Sequence, residues 1–160
     1  MKKILSWIFL LAFVFFMFYN PIFCGLQLGA LCVYYVVHYA TFLNHINKHG
    51  KESRGTILSY ETEGKGHKTP LVEFEINGEQ IVKKPYYYAS TDLSILKTYK
   101  NKINKSISIL YDPRCPEKFI IKSEKGFNYF SLIFAGLVGL LFVLISLVQL
   151  YKSISLDGME

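Results

Sequence analysis

Three histidines, His38, His45 and His49, recur at spacings of seven and four residues, which would put them on one face of a helix. Imidazoles so arranged can ligate a metal or a haem iron, and an ionisable group inside an apolar segment is a functional candidate by default. No carboxylate or cysteine lies beside them in sequence to complete a ligand set. The plainer reading is an interfacial belt in which His38 sits among Tyr34, Tyr35 and Tyr39 while His45 and His49 face headgroups or water. That reading is favoured, with no metal and no cofactor expected.

A second cluster, Tyr111-Asp112-Pro113-Arg114-Cys115-Pro116, joins a carboxylate to a thiol with an arginine beside it. Arg114 could lower the pKa of Cys115, but no base is evident, and Asp-Pro is ordinary turn chemistry. Lys83-Lys84-Pro85-Tyr86-Tyr87-Tyr88 mixes cations with rings, as lipid-headgroup and nucleic-acid surfaces do. We expect Lys83, Lys84, Tyr86, Tyr87 and Tyr88 to contact the leaflet or a ligand, or to form a solvated strand; nucleic acid is the least favoured partner. Glu73 and Glu75 share a strand face and read as its solvated side. No P-loop, dinucleotide fingerprint, H-E-x-x-H or nucleophile elbow occurs in the chain, so no catalytic residue is assigned and a non-enzyme is expected.

The elements that carry these residues follow from composition. The 160 residues are 51% hydrophobic and only 19% charged. Residues 4–46 and 127–151 contain no Lys, Arg, Asp or Glu, whereas 47–126 hold 15 of the 18 basic and 10 of the 12 acidic residues. This excludes a single soluble globule, a disordered chain and a disulfide scaffold. Cys24, Cys32 and Cys115 are expected to be free thiols, since three cannot pair and the polar region holds one.

A bilayer core takes about 20 helical residues. Residues 127–151 satisfy this alone, and 4–46 predict a helical hairpin with spans of about 4–22 and 27–46, broken near Asn20-Pro21 and Cys24-Gly25. The competing reading, a cleaved signal peptide, lacks an A-x-A site. Gly25 with Gly29, and Ala135 with Gly139, are small pairs four residues apart that suit helix packing or self-association of the spans. Gly25 could equally be the hairpin turn. Lys2 and Lys3 place the N-terminus in the cytoplasm by the positive-inside rule, which puts residues 47–126 there too and the tail 152–160 outside.

Within the polar region, strands are predicted at 55–61, 71–76 and 79–84, with Asn77-Gly78 as a type I′ turn that sets Phe74 opposite Ile81. A helix capped by Ser90 or Thr91 is expected to run to Ile103 with Ile95, Leu96 and Tyr99 on its apolar stripe, ended by Asn104 in the left-handed conformation. Strands at 107–111 and 119–121, joined by the Asp112-Pro113 turn, complete five. The expected fold is therefore membrane α-helical spans plus a small mainly-β domain, barrel- or sandwich-like, with one short helix. The domains are 1–46, 47–126, 127–151 and a tail.

Arg54-Gly55-Thr56-Ile57, Pro70-Leu71-Val72-Glu73-Phe74 before Asn77-Gly78, and Ile107 to Asp112-Pro113 followed by Cys115-Pro116-Glu117 resemble the bacterial membrane-protein family of the domain of unknown function 3592. The resemblance covers about residues 54–122, and Tyr-Asp-Pro-x-x-Pro is its most specific part. Asn104 stands where that family would have Gly, and the N-terminal hairpin is less usual in it. The resemblance implies a bacterial inner-membrane protein with a small β domain between hydrophobic segments. It supplies no activity and no site residues. The expected function is a membrane interaction or immunity-type protein whose β domain binds a protein partner. The alternative is an effector whose β domain binds a small anionic molecule and drives oligomerisation of the spans.

Overall fold

The computed structural model describes residues 2–63, 67–89 and 101–157. The chain divides into two compact units: one holds the residues up to His38 and from Ile133 onward, the other Tyr39 to Leu132.

The first unit is helical. α1 (Lys2–Tyr19) stops at Asn20, whose Oδ1 accepts the backbone N–H of Ile22 at 3.1 Å and so starts α2 (Pro21–His49). Pro21 fits the first helical position because its missing N–H is not needed there. The break is thus one residue wide at Asn20, and Gly25 lies inside α2 instead of in a turn. Phe16 meets Phe23 with ring centres 5.3 Å apart, Cys24 Sγ donates to the Phe13 carbonyl, and Gln27 Nε2 to that of Phe9. These contacts step in opposite directions along the two helices, so α1 and α2 run antiparallel.

α3 (Lys125–Asp157) packs on α2 through its small residues. At Gly29 a Cβ would lie 2.9 Å from the Gly139 carbonyl oxygen, and at Gly139 one would lie 2.7 Å from Cys32 Cβ. Any side chain there would force the backbones apart. Among the described residues two helices are long and apolar enough to cross a membrane, Pro21–His49 and Lys122–Ser155; the apolar stretch Trp7–Tyr19 is shorter. The expectation of a first span over 4–22 is shortened because Asn20 turns its own backbone into the cap of the next helix.

The second unit contains one antiparallel sheet in the order β3-β2-β1-β4-β5: β1 (Lys51–Glu63), β2 (His67–Ile76), β3 (Glu79–Lys83), β4 (Ser106–Asp112) and β5 (Cys115–Ile121). Asn77 and Gly78 have φ of 54° and 84°, as a type I′ turn requires, and Phe74 pairs with Ile81. Asn104 is left-handed at φ 60°. Residues 90–100 of the helix expected from Ser90 or Thr91 to Ile103 lie outside the described residues, as do residues 64–66.

The sheet is a curled half-barrel. Phe74 of β2 and Phe119 of β5, three strands apart, meet edge to face with centroids 4.8 Å apart, which only curling allows. They and Ile57, Val72, Ile109 and Ile121 form the inner core. Beyond β3 the chain approaches the far edge, where the Tyr86 N–H donates to the Phe119 carbonyl at 2.9 Å.

A second core lies on the other face of the same sheet. Leu43 and Ile46 of α2, Leu132 of α3, Ile120 and Tyr87 are its buried members, with Leu110 packed against them. At about 1.5 Å per residue the 29 residues of α2 reach about 43 Å. Its C-terminal part, with Leu43 and Ile46, belongs to this core. The compact unit is therefore wider than the polar stretch 47–126, because the flanking apolar residues 39–46 and 127–132 pack on the sheet.

Candidate functional site

The register of the sheet assigns its outer face. Arg54 on β1 pairs with Ser108 on β4, while Thr56 pairs with Ser106 on one side and Glu73 on the other. Glu75 pairs with Gln80, and Glu73 with Val82. Period-two alternation then sends Ile57, Val72 and Phe74 inward and Arg54, Thr56, Glu73 and Glu75 outward. These outward side chains, with Gln80 and Ser106, line an open recess of about 210 Å³. Among the described residues neither Arg54 nor Glu73 nor Glu75 makes an ion pair within 4 Å. Among the described residues one guanidinium and two carboxylates thus stand on one open face without an ion pair. Such a face suits contact with another polar surface.

The Lys83–Tyr88 segment has a different place. Tyr87 is buried, 8% exposed, in the second core, and its hydroxyl hydrogen-bonds Ser131 Oγ at 2.6 Å. Tyr86 stacks beside Phe42, ring centres 4.5 Å apart, under the Lys118 ammonium at 5.1 Å. Tyr88 packs against the inner core. Lys83 pairs with Glu117 at 3.5 Å and Lys84 with Glu61 at 2.8 Å. The segment thus straps the helix ends to the sheet. Asn128, fully buried on α3, fastens it further by accepting the Ala89 N–H at 2.9 Å.

Asp112 accepts the Arg114 N–H at 2.9 Å through Oδ1, the expected Asx turn around Pro113. Its Oδ2 does something the sequence does not announce: it lies 3.6 Å from His45 Nε2. His49, one helical turn on, has its ring centre 5.2 Å from that of His45. The two imidazoles, Asp112, Pro113 and Arg114 line a recess of about 140 Å³. His38 belongs to the other unit and stacks on Tyr34 at 6.2 Å. The carboxylate missing from the local sequence is therefore supplied by a turn far along the chain. Cys115 is a half-buried free thiol, as Cys24 and Cys32 are.

Electrostatics elsewhere in the unit are set by short surface pairs. The Lys122 ammonium, 2.7 Å from Glu52, holds the Glu52 carboxyl below its ordinary pKa, and Ser108 contributes a hydrogen bond in the same direction. Gly25 lies against Ser146, and Gly29 against Gly139, in the helical unit; Ala135 is half-buried there. No protein-family model matches the chain, and no curated protein or solved structure does either.

Proposed function

We propose that the chain is an integral membrane protein without a catalytic role, whose curled sheet is a docking module for a protein partner. The observation that carries this reading is the outer-face recess, where Arg54, Glu73 and Glu75 stand without ion-pair partners among the described residues on a sheet clamped by its second core to helix ends. Polar faces held on rigid elements present a defined pattern of donors and acceptors at little ordering cost. In this reading α2 and α3 cross the bilayer with α1 folded back beside α2, and the sheet faces the cytoplasm of a bacterial cell. The basic residues Lys48, Lys51, Lys122 and Lys125 that flank the sheet support that orientation. The resemblance to the family of the domain of unknown function 3592 is part of the same proposal.

A small anionic ligand fits this recess less well. The region 47–126 carries an excess of five positive charges, yet the recess itself holds two carboxylates against one guanidinium. The partner surface this pattern favours is polar with a basic side chain for the glutamates.

The test is site-specific photo-crosslinking of the full chain in its native membrane. A photoreactive residue at Gln80 or Thr56 should give one discrete adduct, lost when Glu73 and Glu75 are both changed to Lys. The same probe at Leu144, on α3, should not give it. Failure to crosslink at either recess position, or an adduct indifferent to the charge reversal, would sink the proposal.

A further inference from the structure

The two edges of the sheet differ. At β5 the Tyr86 N–H occupies the Phe119 carbonyl, and the register with β4 shifts between Tyr111 and Asp112. At β3 the register with β2 is unbroken from Glu79 to Lys83, and four of the five residues are exposed. The Asn77-Gly78 turn closes with the N–H of Glu79 on the carbonyl of Ile76. Period two then turns the N–H and C=O of Glu79, Ile81 and Lys83 toward β2 and those of Gln80 and Val82 outward. Among the described residues no backbone hydrogen bond outside the ladder reaches Gln80 or Val82. A regular edge with unmet backbone groups is a template for another strand.

The strand that fits this edge best is the same strand reversed. When two copies of Glu79-Gln80-Ile81-Val82-Lys83 lie antiparallel about a two-fold axis at Ile81, Glu79 of each stands opposite Lys83 of the other. Gln80 then stands opposite Val82, and Ile81 opposite Ile81. The Gln80–Val82 pairs, whose backbone groups point outward, exchange both of their hydrogen bonds. Glu79, Ile81 and Lys83 form the alternate pairs, in which opposed side chains approach most closely. A slip of two residues keeps the direction of the hydrogen bonds but loses both charge pairs. We infer that β3 pairs in this register with β3 of a second copy of the chain, joining the two five-stranded sheets edge to edge.

The side chains are placed for this. Among the described residues Glu79 makes no ion pair within 4 Å. Lys83 reaches Glu117 at 3.5 Å, but both side chains are more than half exposed, and such a contact contributes little and exchanges readily. Val82 is apolar and 41% exposed, and pairing covers it. Two residues past Lys83, Pro85 has no N–H to extend the ladder, so the pairing ends where the self-complementary segment ends. The inference is independent of what the outer recess binds, since the register below reads the β3 edge alone.

The test is disulfide mapping of the full chain in its native membrane, with Cys24, Cys32 and Cys115 replaced by Ser. Opposed residues that share no hydrogen bond have Cα atoms about 4.5 Å apart, close enough for a disulfide. Under mild oxidation Ile81→Cys should give a covalent dimer of twice the chain mass. Glu79→Cys combined with Lys83→Cys, both at exposed positions, should give it too, and neither alone should. Glu75→Cys, on the neighbouring strand, should not. In the Ile81→Cys chain, Glu79→Lys sets like charges opposite each other and should lower the dimer yield about fivefold or more, and adding Lys83→Glu should restore it. Val82→Pro removes an outward N–H, leaves the ladder to β2 in place and should abolish the dimer. No dimer from either Ile81→Cys or the Glu79→Cys, Lys83→Cys chain, an equal yield from Glu75→Cys, a yield indifferent to Glu79→Lys, or a product whose mass includes a different protein would each overturn the inference.

Discussion

The two cores of the Tyr39–Leu132 unit share strand β5 and differ in where their other residues come from. The inner core draws on Ile57, Val72, Phe74 and Ile109, all on strands of the same sheet. The second draws on Leu43, Ile46 and Leu132, which lie on helices that continue into the apolar segments. Phe119 and Ile121 face the first, and Ile120 between them faces the second. The difference teaches that the apolar residues at the end of a long apolar helix can belong to the core of the adjoining sheet.

The contrast can be broken most severely from inside. Phe119→Ala removes the ring that meets Phe74 across the curl and should cost about 3–5 kcal/mol, measured by denaturant unfolding of the full chain in detergent. Leu43→Ala sharpens the comparison more directly. If Leu43 belongs to a protein core, it should cost about 2–5 kcal/mol, whereas the same change at exposed Leu144 should barely move the transition. Equal small effects at both would abolish the distinction between the second core and the exposed faces of the apolar helices.

Asn128→Ala tests the fastening of the strap at Ala89 to the start of α3. It strips the buried Ala89 N–H of its acceptor and should cost about 1–3 kcal/mol, with faster amide exchange at Ala89. In the hairpin, Asn77→Ala puts at φ 54° a residue that tolerates the left-handed region less well than Asn does. It should cost about 1 kcal/mol and leave the helix contacts untouched.

The smallest effect is electrostatic. Glu52 has a folded pKa below its unfolded one because of Lys122, so the pair stabilises the fold above the unfolded carboxylate pKa. That contribution is lost as pH falls through the depressed folded value. Lys122→Met should therefore flatten the acid limb of a stability–pH profile while leaving the neutral region nearly unchanged, since the pair is exposed.

Much of the inner core is legible in the sequence, because period two in Val72-Glu73-Phe74-Glu75-Ile76 and the Asn77-Gly78 turn are local signals. Phe74 opposite Ile81 follows from the turn length alone. The second core is not legible that way. Leu43 and Ile46 sit in an uncharged run where hydropathy cannot separate burial in protein from burial in lipid. The unbroken triplet Phe119-Ile120-Ile121 is the one local hint, since a strand with one solvated face would alternate. The juxtaposition of His45 with Asp112 had no local signal either, because it depends on how a helix end meets a turn 67 residues later. Likewise Tyr86 and Tyr87 look like a surface in sequence and are a strap in the fold.

Strand β5 also imposes an order in time. Leu43 and Ile46 leave the ribosome long before Ile120 and Leu132, which cover them. At about 5–20 residues per second that interval lasts several seconds. Throughout it the apolar end of α2 has only the membrane surface or a chaperone for shelter. α3, made after the strands, thus completes the packing of the sheet through Leu132.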